Sequence, residues 1–248
     1  MKRLENKTAI VTGAGKGIGR EIALALAAEG AYVYSIARTE ADLKETLSQI
    51  EAAGGQGAYY CADLTKEKEV TEMVACVLAK RQAIHILINN AGGYPQEIYK
   101  DRDTQAIKLW EWPMEQWQQI LKTNLNIPFL CMKHVIPEMI KARAGEIVNI
   151  SSRMGRIASQ MGGYAVAKGG IVTMTKTAAI QTQEYGIRVN AVAPGILDTP
   201  GQRAYNHSVG QDGVAMGSAD SVAKACVYLL CDAPPVMTGQ VLDLFTTL

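Results

Sequence analysis

The chain has 248 residues, 48% of them hydrophobic and 20% charged, with 25 Lys and Arg against 24 Asp and Glu. That profile excludes intrinsic disorder, which goes with fewer apolar residues and more net charge. A net charge of +1 argues against a nucleic-acid or membrane-surface binder, which carries a clustered basic excess. No run approaches the roughly 18 uncharged apolar residues of a spanning helix. The start, Met1-Lys2-Arg3-Leu4-Glu5-Asn6, leads into a strand-like segment with no signal-peptide stretch, so a soluble, cytoplasmic protein is expected. Cys61, Cys76, Cys131, Cys226 and Cys231 are odd in number and form no CxxC, so no disulfide framework is expected. His85, His134 and His207 are too far apart for a local metal motif, and no metal is expected.

In chain order, apolar β-branched runs fall at Thr8–Thr12, Tyr32–Ile36, Gly57–Ala62, Ile84–Asn89, Gly145–Ser151, Arg188–Ala193 and Gln240–Phe245. Stretches with helical periodicity lie between them, near 18–29, 40–53, 67–81, 115–142, 164–185 and 219–232. The strands read as continuous apolar runs, as expected when helices cover both faces of a sheet. Repeated strand–helix alternation predicts an α/β fold with a doubly wound parallel sheet of about seven strands. No repeat, low-complexity tract or polar linker marks a boundary, so residues 1–248 are expected to form one domain.

After the first strand the chain reads Thr12-Gly13-Ala14-Gly15-Lys16-Gly17-Ile18-Gly19, followed by a predicted helix. Gly13 suits a tight turn, Gly17 a close backbone approach to a pyrophosphate, and Gly19 close helix–strand packing. The helix N-terminus adds free N–H groups and a positive dipole end. The position between strand and helix is the context that gives this glycine pattern meaning. An NAD site usually carries Asp or Glu at the end of the second strand, roughly 20 residues beyond the glycines, for the ribose 2′-OH. Here Ala37 stands there, followed by Arg38, and Lys16 lies inside the glycine loop. Two cations and no acid suit a 2′-phosphate, so NADP(H) is the expected cofactor.

Further along, Tyr164-Ala165-Val166-Ala167-Lys168 opens a helix and puts a phenol and an ammonium on one face. A nearby cation favours tyrosinate and is expected to lower the phenol pKa from about 10. Together with the glycine loop, Asn89-Asn90-Ala91-Gly92, Asn149-Ile150-Ser151-Ser152, Tyr164-xxx-Lys168 and Pro194-Gly195-xxx-Thr199 occur in series. This series closely resembles the short-chain dehydrogenase/reductase family over about residues 5 to 243. The resemblance implies a Rossmann-type fold and hydride transfer between a nicotinamide and a carbonyl or alcohol carbon.

Carried over residue by residue, the resemblance makes Tyr164 the general acid/base and Lys168 its partner, which also holds the nicotinamide ribose. It gives Asn124 a catalytic place. It adds Asp63, Asn90, Ala91, Gly92, Pro194, Gly195 and Thr199 as cofactor contacts, and with Leu64 these join Gly13, Gly15, Lys16, Gly17, Ile18, Gly19 and Arg38 of the glycine-loop reading as the expected cofactor site. A small-molecule carbonyl or alcohol substrate and a homo-oligomer, tetramer first or else dimer, are implied as partners. Pro128 lacks the N–H that would bond the Asn124 carbonyl in a regular helix. It either keeps that carbonyl open for a water leading to the lysine, as the family implies, or simply ends a helical segment.

Four departures from the family pattern matter. The family's usual spacing back from Tyr164 selects Ser151 as the catalytic serine. Reading forward through Asn149-Ile150-Ser151-Ser152 to Gly155 selects Ser152, which is preferred because a loop absorbs a deletion more easily than a strand. The segment from Gly93 to Trp117 is longer than usual and carries Trp110, Trp112, Trp117 and the charged stretch Lys100–Asp103. The lid region near 198–217 is shorter and polar. The tryptophans either take over part of the pocket wall or pack the insert onto the body, and packing is preferred. Finally, the C-terminus Val241–Leu248 is apolar where relatives carry a glycine-rich turn, and small residues on the helix 164–185 would let another helix approach. The alternatives are an NAD-dependent secondary alcohol dehydrogenase, opposed by Ala37, Arg38 and Lys16, and a catalytically idle dinucleotide sensor, opposed by Tyr164 and Lys168.

Overall fold

The computed structural model describes residues 2–93, 107–208 and 210–245. The elements run β1 (Thr8–Thr12), α1 (Gly17–Ala28), β2 (Tyr32–Ala37), α2 (Glu40–Ala52), β3 (Gln56–Cys61), α3 (Glu67–Arg81) and β4 (Ile86–Asn89). They continue with α4 (Met114–Leu121), a π-helical turn (Lys122–Asn126), α5 (Ile127–Ala142), β5 (Gly145–Ile150), α6 (Gly162–Thr182) and β6 (Ile187–Pro194). After these come β7 (Leu197–Asp198), α7 (Pro200–Ser208), β8 (Gly217–Ser218), α8 (Asp220–Cys231) and β9 (Val241–Leu244).

Seven strands form one parallel sheet in the order β3-β2-β1-β4-β5-β6-β9, and β7 and β8 pair separately. Neighbouring strand residues feed opposite layers. Ala9 and Val11 of β1 join Ile22 and Leu26 of α1 and Val222, Cys226 and Leu229 of α8. Ile10, between them, joins Val70, Met73 and Val77 of α3 and Cys131, Val135 and Met139 of α5 on the other face. Burying each Val, Leu, Ile or Met side chain among them contributes about 1.5–3 kcal/mol, which is why both strand faces are apolar. The chain reverses its direction of winding between β1 and β4. A crevice opens there, outside the carboxyl ends of the strands, where open α/β sheets take their ligands.

The predicted strands and helices all form, with ends displaced by up to three residues, as at the end of α6, which stops at Thr182 rather than 185. Two regions differ. The stretch 115–142 is α4 and α5 joined by the π-turn, so Pro128 stands at the second residue of α5 rather than at a helix end. The polar run after Thr199 forms α7, which periodicity missed. Its start was readable, because Pro at the first helical position and a capping Thr are helix-start signals, and Thr199 Oγ1 accepts the Gln202 N–H at 3.1 Å. All five cysteines are free thiols. Among the described residues no helix is long and apolar enough to cross a membrane.

Candidate active site

The carboxyl ends of β1 and β4 are stapled together by one hydroxyl. Thr12 Oγ1 donates to the Ile88 carbonyl at 3.1 Å and accepts the N–H groups of Asn90 and Ala91 at 2.9 and 3.0 Å. Asn90 Nδ2 completes the staple on the carbonyls of Thr12 and Gly13, at 3.0 and 3.2 Å. Gly13 turns the chain with φ +66°, and a Cβ there would come 2.9 Å from the Ala91 Cα. At Gly19 a Cβ would run into the Gly13 carbonyl, so only glycine lets α1 approach β1 this closely. The first turn of α1 carries no acid, which leaves its N–H groups and dipole free for an anion.

A cleft of about 560 Å³ takes in this turn, the carboxyl ends of the strands and the start of α7. Every site residue nominated by the sequence lines it except Gly19 and Asn124, which stand behind it. At the β2 end, Arg38 and Lys16 are exposed. Asp63 Oδ1 accepts the Thr65 N–H and hydroxyl at 3.1 and 2.7 Å. Although burial opposes it, these bonds, with Lys66 and Arg38 nearby, hold the Asp63 carboxyl below its ordinary pKa.

At the other end, β5 delivers two serines to different surroundings. Ser151 is buried and its hydroxyl donates to the Lys168 carbonyl at 2.8 Å. Ser152 lines the cleft, accepts the Met154 N–H at 3.2 Å and is hydrogen-bonded to the Tyr164 side chain. Lys168 Nζ donates to the Ile150 carbonyl at 2.9 Å and lies 5.7 Å from the Tyr164 ring centroid. Gly155 presses against the Lys168 and Gly169 backbone, where a side chain would not fit, and so draws the serine loop onto α6.

The electrostatics correct one expectation. Burial pushes the Tyr164 phenol up to about 12, with only the Ser152 hydrogen bond acting against it, so the lysine does not lower it. Burial likewise brings Lys168 down to about 8. Removing water from both groups outweighs their proximity.

Asn124 is fully buried in the π-turn. Its Oδ1 accepts the Gly93 N–H at 2.8 Å, and its Nδ2 donates to the Gly93 and Ile120 carbonyls at 2.9 and 3.2 Å. A π-turn of this kind often marks a functional position, and here it clamps the end of the Asn90-Ala91-Gly92 loop.

The tryptophans divide. Trp110 is 80% exposed, while Trp112 covers Gly162 and joins Ile120, Tyr164, Ala167 and Tyr205 in a small apolar cluster. Trp117 lies against Gly163, and none of the three lines the cleft. The stretch Lys100–Asp103 lies outside the described residues. Sequence reasoning missed Gln119, Thr123, Arg153, Met154, Ile196 and Gln202, which line the Ser152 end. These side chains follow no motif spacing and carried no signal.

Comparison with known proteins agrees with this geometry. The family described as short chain dehydrogenase matches residues 7–210. The 3-oxoacyl-[acyl-carrier-protein] reductase of Staphylococcus epidermidis is 33% identical over 246 residues, covering 95% of this chain and 96% of that protein. NAD+-bound xylitol dehydrogenase superposes with a TM-score of 0.87 at 27% identity, covering 98% of both chains. Actinorhodin polyketide ketoreductase with NADPH superposes at 0.86 with 28% identity, covering 96% of this chain and 95% of that one. The chain belongs to the short-chain dehydrogenase/reductase family, oxidoreductases that bind nicotinamide dinucleotides.

Proposed function

We propose that residues 1–248 act as one catalytic domain, a cytoplasmic NADP(H)-dependent carbonyl reductase that also runs in reverse as an alcohol dehydrogenase. The observation that carries this reading is the Tyr164 phenol, hydrogen-bonded to Ser152 with Lys168 beside it, in one cleft with the Gly13–Gly17 turn. The residues fit a dinucleotide, because the turn offers backbone without Cβ atoms and α1 offers an acid-free first turn. When bound, the nicotinamide supplies or accepts the hydride.

The chain's own groups handle the proton and the charge. A phenol held near 12 is protonated at neutral pH and gives its proton to the carbonyl oxygen during reduction. The Ser152 hydroxyl donates to that oxygen as negative charge develops, and Lys168 supplies a positive field from behind. Ser151, turned to the Lys168 carbonyl, holds the helix rather than the substrate. Asn124 acts from behind the lining by fixing Gly93.

Ala37 at the end of β2, with Arg38 and Lys16 exposed beside it, supports the phosphorylated dinucleotide. One observation favours NAD instead. Asp42 lines the same end, its Cβ 2.9 Å from where a Cβ on Gly15 would stand. Phe129 on α5 and Val166 and Ile180 on α6 are exposed apolar side chains, which supports a homo-oligomer, tetramer or dimer. A light-scattering mass near one 26.8 kDa chain would contradict it.

The test of the activity is cofactor oxidation, followed by absorbance, over ketones, quinones and β-ketoacyl thioesters with NADPH and NADH in parallel. Turnover with a higher kcat/KM for NADPH is expected. Cofactor binding without turnover on any class would overturn the enzyme reading, and a preference for NADH would overturn the choice of cofactor alone.

A further inference from the structure

The arginine that follows Ser152 has no part in the chemistry above. Arg153 opens a 3-10 turn, Arg153–Gly155, and lines the cleft. Its Nε–H is buried and meets no hydrogen-bond acceptor among the described residues. Its guanidinium carbon lies 5.9 Å from the centroid of the Phe245 ring. The carboxylate two residues before that ring is already taken: Arg156 donates Nε to Asp243 Oδ1 at 2.8 Å and Nη2 to Oδ2 at 3.1 Å. Arg156 thus clasps the turn to the end of β9, and among the described residues Asp243 makes its side-chain hydrogen bonds to Arg156 rather than to Arg153.

Charge around the cleft is uneven. Among the described residues the carboxylates that line it are Asp42 and Asp63, both at the β2–β3 end. At the Ser152 end the described lining holds two cations, Arg153 and Lys168, and no acid. Lys168 is committed to the Ile150 carbonyl and to its place beside Tyr164. Arg153 is therefore the cation at that end with no hydrogen-bonded partner among the described residues. An unpaired buried donor is costly, more so on a charged group, and the planar guanidinium fork matches a carboxylate better than any other side chain does.

We propose that Arg153 is a specificity-determining residue for an anionic substrate, an oxo acid. Its carboxylate accepts the Arg153 N–H groups, and its ketone oxygen lies at Ser152 and Tyr164. The Phe245 ring and the Arg156–Asp243 pair hold the turn that carries the guanidinium, so the anion meets a positioned group. This inference deepens the carbonyl reductase reading and rests on it.

The experiment compares kcat/KM for acetoacetate and levulinate with their methyl esters, in the wild-type chain and in Arg153→Met, Arg153→Gln and Arg153→Lys. The wild type should favour at least one acid over its ester. In R153M the acid-to-ester ratio should fall by roughly tenfold or more, the worth of a charged hydrogen bond, with the change in KM. R153K should keep an intermediate ratio, and R153Q guards against a methionine variant that fails to fold. An ester preference in the wild type, an equal ratio in wild type and R153M, or no turnover of either acid while other ketones react would each overturn the proposal. So would an R153M whose NADPH Kd weakens while the ratio stays, since the cation would then serve the dinucleotide. Failure of the underlying reading looks different: no carbonyl or alcohol of any class would be turned over, and the inference would fall with it. Turnover that survives Tyr164→Phe would overturn the assigned acid while leaving the Arg153 ratio test standing.

Discussion

From Gly13 to Gly92 the cleft is built on a glycine turn and two stapled strand ends, whereas from Gln119 to Gln202 it is lined by residues gathered from several elements. In the first half, Thr12 and Asn90 lock two strand ends together, and glycines stand where a Cβ would collide. In the second half, residues from α4, the π-turn, the β5 loop and α7 converge around Tyr164. A turn built on such glycines tolerates few residue types and serves one ligand shape. A side-chain wall keeps its frame while its chemistry changes, which suits a fixed cofactor facing a variable substrate.

The comparison can be broken at either half. The largest expected effect is on the side-chain half: Tyr164→Phe should lower kcat by roughly 10²–10⁴-fold, the usual worth of a general acid. Its NADPH Kd, read by fluorescence titration, should stay close to wild type, and a comparable loss of binding would show that the two halves are not separable. Gly19→Ala attacks the glycine half. Its methyl group meets the Gly13 carbonyl and the Asn90 amide, so a loss of about 1–3 kcal/mol of stability is expected together with weaker cofactor binding. An unchanged urea midpoint would mean that α1 moves aside freely.

A smaller contrast lies between the neighbouring serines. Ser152→Ala should cut kcat, because it removes the hydroxyl bonded to Tyr164. Ser151→Ala should chiefly lower Tm, through loss of about 1 kcal/mol from its bond to the Lys168 carbonyl. The reverse pattern would assign the catalytic hydroxyl to Ser151.

The smallest effect lies at the amino edge of the sheet, away from both halves. His85 Nδ1 accepts the Thr8 N–H at 3.0 Å. Burial, with Lys7 and Arg81 nearby, holds the imidazole below its ordinary pKa of 6.5. The folded chain therefore keeps the ring neutral. Its contribution to stability is complete above the unfolded value of about 6.5 and is lost as pH falls below it. His85→Asn offers an oxygen acceptor without the titration. Between about pH 7 and about pH 5 the wild type should lose more Tm than H85N, and equal losses would remove His85 as the cause.

These differences mark what the sequence could disclose. The strands were legible because helices cover both faces, which forces apolar residues at consecutive positions such as Ala9, Ile10 and Val11. The glycine turn was legible because no other residue type fits Gly13 and Gly19. Tyr164 and Lys168 showed through their helical spacing, but the sign of the phenol shift did not, since it depends on burial rather than on spacing. Arg153 and Tyr205 were silent because their significance comes from neighbours distant in the chain, Phe245 for one and the Tyr164 cluster for the other. Helix α7 was hidden by its polarity, although Thr199 and Pro200 announced its start.

The π-turn at Lys122–Asn126 also sets an angular phase between two helices. Each helical residue advances the chain by about 100°, and a π-turn holds one residue more than the α-helical turn it replaces. That extra residue lets α4 aim Ile120 at the Tyr164 cluster while α5 aims Cys131, Val135 and Met139 beneath the sheet. Deleting one residue from the turn would regularise the helix and swing one of these two faces away from its partner by about a quarter of a revolution. The irregularity that buries Asn124 is thus the condition under which one continuous helical rod serves both the core and the active site.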